Sequence, residues 1–414
     1  MLRGEEWSSL RCDSQWLGRA LDDLARIGAV PGGGVTRRAL TPEERQAMEL
    51  VRGWMEDLGL RTGYDAAGNL FGTWAPPGAG GAPVMTGSHV DSVPHGGRYD
   101  GAAGVVAALA AVAALQRAGH APRRPVRVAV FTGEEASRFP VGLMGSTAVV
   151  RGLSEEELDR VDEAGVSLRD ALPAASRLDA ARIRPGDLTA FLEVHIEQGR
   201  VLEDAGLPVG LVTGIAGPVF FRGSLRGAAD HAGATPMPLR RDALAGAAEF
   251  VLAAERIARE TGPTTVATVG WLQPHPGAGN VIPGLCEFSL DLRDIDPAAR
   301  DRAEAALRDA LAEIARRRDL AWELKETHRV DPVPVPEHLI RVLERAAEEA
   351  GVSTMRLVSG AAHDAMIMAR VAPAGMIFVR CREGRSHTPD EYATVEDLTA
   401  AADVLAGALA ALSA

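Results

Sequence analysis

Apolar positions along the chain fall into two kinds of run. Residues 83–86, 126–131, 190–194 and 375–379 are short, apolar and β-prone, and each ends at polar chemistry. The first leads into Gly87-Ser88-His89, the second into Thr132-Gly133-Glu134-Glu135, the third into His195, and the fourth into the loop that carries His387. Between them, residues 102–118, 337–350 and 395–412 show the longer spacing of helices. Strand-like runs that alternate with helices build βαβ units, so the pattern predicts an α/β fold: a mostly parallel sheet flanked by helices. Ligands of such sheets lie beyond the carboxyl ends of the strands, which is where every histidine and acidic cluster just named stands.

The pattern changes between residues 210 and 329. Strand-like 219–225, helix-like 241–260, strand-like 264–272 and 286–292, helix-like 297–318 and strand-like 320–327 follow in order. Two strand-helix-strand blocks predict a small α+β domain inserted into the larger one. The expected division is therefore residues 1–210 with 330–414, and residues 211–329. The exit, Val330-Asp331-Pro332-Val333-Pro334-Val335-Pro336, reads as a stiff, Pro-rich linker.

A length of 414 residues suits two cores better than one. With 46% hydrophobic and 24% charged residues the composition is that of an ordinary globular protein, not a disordered or fibrous one. A net charge of -12 sets long-range repulsion against nucleic acid and anionic membranes, leaving a small molecule as the expected partner. Cys12, Cys286 and Cys381 are far apart and form no CxxC pair, so neither a disulfide framework nor a thiolate zinc site is indicated, and a reducing, cytoplasmic setting fits. Acidic residues stand where an N-terminal leader would carry its apolar run, and no stretch is long enough to span a bilayer.

The strand-end clusters carry the candidate chemistry. In an extended His89-Val90-Asp91 both polar side chains project to one face, so Asp91 can hold one ring nitrogen while the other faces a metal ion. Asp100 adds a carboxylate, whose two oxygens can bridge two cations as an imidazole cannot. Glu134 and Glu135 sit on a turn and can point apart, one toward metal and the other taking a proton from water. His195 and His387 add imidazoles. Taken singly, each has an ordinary explanation: a loop cap, an acidic helix start, a structural histidine. Taken together, His89, Asp100, Glu135, His195 and His387 give each of two metals three ligands if Asp100 is shared, with a position left open for water.

The segments GSHVDSVPHGGRYDGAAGV, FTGEEASRFPVGLMGS, EVHIEQG, DHAGATPMPLRRDA, GNVIPG with SLDLRD, SGAAHDA and SHTPDEY resemble the M20 metallopeptidase clan. More narrowly they are similar to its amidase, hydantoinase and carbamoylase branch, which includes N-carbamoyl-L-amino-acid hydrolases and allantoate amidohydrolases. The resemblance runs from about Asp65 to Leu398 and implies a metal-binding domain plus a ferredoxin-like lid that forms a homodimer contact. It implies His89, Asp100, Glu135, His195 and His387 as ligands of two divalent ions, with Asp100 bridging and Glu134 as general base. Peptidases of the clan usually carry a carboxylate where this chain has His195, whereas the carbamoyl-type branch carries histidine, which points to ureido substrates.

On the substrate side the resemblance implies that His231 reaches a partner subunit's site and steadies an oxyanion. Asn280 and Arg293 would bind a substrate carboxylate, Gln198 would contact the ureido group, and His363 would shape the pocket. Arg380 and Arg385 depart from the branch, which more often has a small and an aliphatic residue there. Either they tune the choice of acidic substrate or they pair with Asp390 and Glu391. Zinc suits the ligand set, as do manganese, cobalt and nickel. An aminoacylase or dipeptidase of the same clan would share the metals and base but not need Gln198. A metal-retaining protein without activity is a further reading, against which the retention of Glu134 speaks.

Overall fold

The computed structural model describes residues 10–414. The N-terminal stretch read for a leader lies, over residues 1–9, outside the described residues. Two compact units form. The first runs up to Thr213 and takes in Val335–Leu357 and His363–Ala414; the second comprises Gly214–Pro334 and Val358–Ala362.

In the first unit, strands β1 (Arg61–Tyr64), β2 (Leu70–Trp74), β3 (Val84–His89), β4 (Val126–Phe131), β5 (Ala190–Ile196) and β6 (Val209–Ile215, whose last two residues count with the second unit) join the C-terminal strand Ala374–Val379 in one sheet. The order is β1-β2-β4-β3-β5, then the C-terminal strand, then β6. β4, β3, β5 and the C-terminal strand are mutually parallel, and antiparallel strands flank them on either side. The parallel centre fits the continuous apolar runs of those strands, which are buried along almost their whole length. Helix Ala102–Arg117 packs on β3 and β5 and against helices Ser14–Arg26 and Val395–Ser413, so it is buried nearly all round. Its alanine-rich composition reflects that burial, since small side chains let helix and sheet backbones approach. Among the described residues no helix is long and apolar enough to cross a membrane.

The second unit has an antiparallel sheet in the order Leu272–His275, Leu285–Asp294, Gly217–Arg226, Ala321–Arg329, with Val266–Thr268 also pairing with Leu285–Asp294. Helices Ala243–Thr261 and Pro297–Arg317 cover one face around Phe221, Phe250, Phe288, Leu307 and Leu311. Strand Leu285–Asp294 alternates strictly between buried and half-buried residues, as a sheet covered on one side requires. Both helices start on an aspartate whose side chain accepts an amide of the first turn, Asp242 from Ala245 and Asp296 from Ala298. Residues 264–272, read above as one strand, are two short strands interrupted around Gly270, which has no side chain to pack. The Pro-rich exit is not a bare linker either, because Val333 and Pro334 pair with Ile215 and Gly214.

Candidate metal centre

Parallel register brings the first two histidines together. Thr86 lies opposite Leu192 on β3 and β5, and extending that register by three residues sets His89 opposite His195. Their rings are 5.8 Å apart between centroids, and both are buried. Asp100 stands just before helix Ala102–Arg117, where the helix N-terminus favours a carboxylate. Between them, Gly101 has φ +60°, and a Cβ there would lie 2.4 Å from Cε1 of His89. Only glycine allows this approach without displacing the imidazole.

The two oxygens of Asp100 serve different neighbours. Oδ1 lies 3.2 Å from Nε2 of His195 and 3.5 Å from Nε2 of His89. Oδ2 lies 3.5 Å from Nε2 of His387, whose Nε2 is also 3.3 Å from Glu135 Oε2. Two donor sets result, His89-Asp100-His195 and Asp100-Glu135-His387, each with its atoms within 4.8 Å of one another. Nδ1 of His89 faces the Asp91 carbonyl at 3.2 Å, and Nδ1 of His195 faces the Ile196 carbonyl at 2.9 Å. A proton on each Nδ1 leaves the Nε2 lone pair free for a cation.

Nitrogen and carboxylate donors of this kind suit a divalent first-row ion. Nε2 of His89 and Oε1 of Glu135 are buried without a hydrogen-bond partner among the described residues, as unfilled ligand atoms would be. The electrostatics agree. Burial would lower the pKa of His89, but Glu134, Asp100 and Asp91 together raise it well above the usual imidazole value. His387 is pushed up to about 10 by its contacts with Asp100 and Glu135. Burial resists ionisation of Asp100, yet His195, His387 and His89 hold it well below the usual carboxylate range. The cluster attracts positive charge strongly, which protons supply when no cation is bound.

The two glutamates point apart: Glu134 Oε2 is 3.8 Å from Nε2 of His89, while Glu135 turns toward His387. Burial, then the charges of Glu135, Asp364 and Asp91, raises Glu134 well above an ordinary carboxylate against the opposing pull of His89. Asp91 does more than face His89, whose Nδ1 is 3.4 Å from its Oδ1. Its carboxylate accepts the amides of Glu134 at 3.0 Å and Glu135 at 3.2 Å.

Of the residues expected to bind substrate, two adjoin this cluster. Gln198, at φ +59°, donates through Nε2 to Asp100 Oδ2 at 2.9 Å, so it rests on the shared carboxylate. His363 lies beside His195 with ring centroids 4.5 Å apart. The remaining three lie in the second unit. His231 is exposed, and its Nδ1 accepts the amides of Gly233 and Ala234 at 3.0 and 3.1 Å, which puts the ring proton on Nε2. Asn280 adjoins it, since its carbonyl accepts the Ala232 amide and Val281 pairs with His231. Arg293 is engaged with the Asp291 carboxylate and with the Gly360 carbonyl at 2.6 Å. Arg385 pairs with Asp390, but Arg380 pairs with Asp397 instead of Asp390 or Glu391.

Some residues around the cluster escaped the sequence reading. Glu391 accepts the amides of Tyr99 and Asp100, and Ser386 donates to Asp100 Oδ2 at 2.8 Å. Burial, then the Asp100 charge, pushes Glu391 up to about 7. Glu193, two residues before His195 and fully buried, accepts from the Ser88 hydroxyl and the Ala365 amide. A carboxylate inside an apolar strand is the signal that could have drawn attention to it.

The model of peptidase family M20/M25/M40 matches residues 85–411. An N-carbamoyl-L-amino acid amidohydrolase from Geobacillus stearothermophilus is 44% identical over 94% of this chain and 96% of its own length. A ureidoglycolate hydrolase from Oryza sativa subsp. japonica is 40% identical over 97% of this chain and 85% of its own length. A crystal structure of an amidase of the hydantoinase/carbamoylase family from Burkholderia multivorans superposes with a TM-score of 0.92 at 38% identity, covering 98% of this chain and 99% of that one.

Proposed function

The chain belongs to peptidase family M20/M25/M40, and from that premise we propose that it is a two-metal amidohydrolase cleaving the ureido bond of a small carboxylate such as an N-carbamoyl-L-amino acid or allantoate. The observation that carries this reading is the Asp100 carboxylate with one oxygen toward His89 and His195 and the other toward His387. His195 favours ureido over peptide substrates, in keeping with the relatives named for N-carbamoyl amino acids and ureidoglycolate.

His89, Asp100 and His195 would hold one ion, and Asp100, Glu135 and His387 the other. Such a pair supplies Lewis acidity toward the scissile carbonyl and an acidified water. Glu134 takes the proton of the attacking water and returns it to the leaving nitrogen. The carbamate released decays to carbon dioxide and ammonia, leaving the free amine of the other product. Nε2–H of His231 is a donor by its tautomer and is exposed on its own subunit, which fits delivery to the oxyanion in a partner's site. The second unit would then act as a ferredoxin-like lid and dimer contact. Asn280 and Arg293 would meet the substrate carboxylate there, with Arg293 already oriented by Asp291.

Ammonia release, measured on N-carbamoyl-L-amino acids, allantoate and ureidoglycolate, is expected to exceed amine release from N-acetyl amino acids and dipeptides by at least about 100-fold in kcat/KM. That margin corresponds to roughly 2.7 kcal/mol of differential transition-state binding. Preferential cleavage of the acyl or peptidyl compounds would assign the chain to the aminoacylase and dipeptidase activities of the clan.

A further inference from the structure

We propose that Glu44 and Asn69 are positioning residues for the general base, fixing the turn that carries Glu134 through its backbone. The inference rests on the reading of Glu134 as the base. Four consecutive amides of that turn each donate to a side chain from elsewhere in the chain. Thr132 donates to Asn69 Oδ1 at 2.9 Å, Gly133 to Glu44 Oε1 at 3.2 Å, and Glu134 and Glu135 to the two oxygens of Asp91. The carbonyls of Thr132, Gly133 and Glu134 accept in turn from the amides of Gly145, Met144 and Leu143. Asn69 also donates to the Gly145 carbonyl at 3.0 Å, and a Cβ on Gly145 would lie 2.1 Å from Asn69 Oδ1. Glycine at that position leaves the room in which Asn69 reaches the turn.

Glu44 stands out because its sequence context suggests something simpler. Thr41-Pro42-Glu43-Glu44 opens helix Pro42–Asp57 and reads as a capping box, in which the glutamate reaches back to the amide of the capping residue. Here the Thr41 amide donates to the Arg38 carbonyl, and Glu44 instead accepts from Leu40 and Gly133. It does so at 2% exposure, beneath the turn, where an ordinary helix-start glutamate would sit in water. Asn69 is likewise fully buried. Burying a carboxyl group is costly unless it is hydrogen-bonded, and the bonds that offset the cost here come from the amides of Leu40 and Gly133, the latter next to Glu134. Because a base must meet its proton within a few tenths of an ångström, loosening the turn should weaken chemistry more than binding.

The test compares Glu44→Gln and Asn69→Ala with Val51→Ala, a buried core position on the same helix as Glu44. Glutamine keeps the shape of Glu44 but has a single acceptor oxygen for two amide donors. Assayed on the preferred ureido substrate well below the unfolding temperature, Glu44→Gln and Asn69→Ala are expected to lose about 10- to 100-fold in kcat. KM and metal content by elemental analysis should be unchanged. Val51→Ala should lower Tm and leave kcat alone. If Glu44→Gln yields no soluble protein, Glu44→Asp, shorter by one methylene, is expected to show the same split between kcat and KM. Unchanged kcat with only a lower Tm, as for Val51→Ala, overturns the proposal. A wild-type enzyme inactive on every ureido substrate, or unimpaired by Glu134→Gln, would instead defeat the reading of Glu134 and is recognised separately.

Discussion

Glu134→Gln is expected to lower kcat by about 10²- to 10⁴-fold, the usual contribution of a positioned general base. The change removes the proton acceptor while keeping the shape of the side chain and the amide hydrogen bond to Asp91. Glu134 is not in either three-residue donor set, so metal content should stay at the wild-type level. The substrate-facing groups are also untouched, so KM should change little; a loss confined to kcat marks an interaction made in the transition state. Steady-state kinetics on a ureido substrate, paired with elemental analysis of the same sample, reads both quantities. A variant that loses its metals would make Glu134 a ligand, and one that retains full kcat would leave the reaction without the base assigned here.

Asp100→Asn should have a different signature. Asp100 is the member common to both donor sets, so its loss weakens both ion positions at once. Replacing a ligand that carries the only negative charge in the His89-Asp100-His195 set should cost at least about 100-fold in metal affinity, the upper range seen when mere supporting groups are removed. Bound metal should fall from two equivalents to less than one, and activity with it. His387→Ala is the contrast, because His387 belongs to one set alone: about one equivalent should survive. Dialysed protein titrated with zinc and followed by calorimetry distinguishes these cases. Equal losses in the two variants would mean that the ions are not joined through Asp100.

The central parallel strands and the residues at their ends were legible in the sequence because both leave strong local marks. Doubly buried strands are continuous apolar runs, and histidines or paired acids at the end of such a run stand out against it. That Asp100 could be shared between two ions also followed from the two oxygens of a carboxylate, whereas the close approach to His89 that Gly101 admits is visible only in the fold. What stayed hidden depends on contacts between distant segments. Glu44 looks like half of a capping box until the fold places Gly133 above it. Asp91 reads as a partner for His89, but its carboxylate mainly holds two amides that come 43 and 44 residues later. Residues 264–272 carry the apolar pattern of one strand across Gly270, where the structure divides them in two. Val358–Ala362 belongs with the second unit although nothing in its own composition says so, and the Gly360 carbonyl accepts from Arg293 across 67 residues of sequence.

Everything proposed for catalysis depends on two cations sharing one carboxylate. Anomalous diffraction from crystals grown with zinc and measured on both sides of its absorption edge locates such ions without reference to activity. Two peaks per subunit are expected, about 3.5–4 Å apart, one contacting His89 and His195, the other Glu135 and His387, with an oxygen of Asp100 on each. A single peak, or peaks that leave Asp100 untouched, would contradict the account.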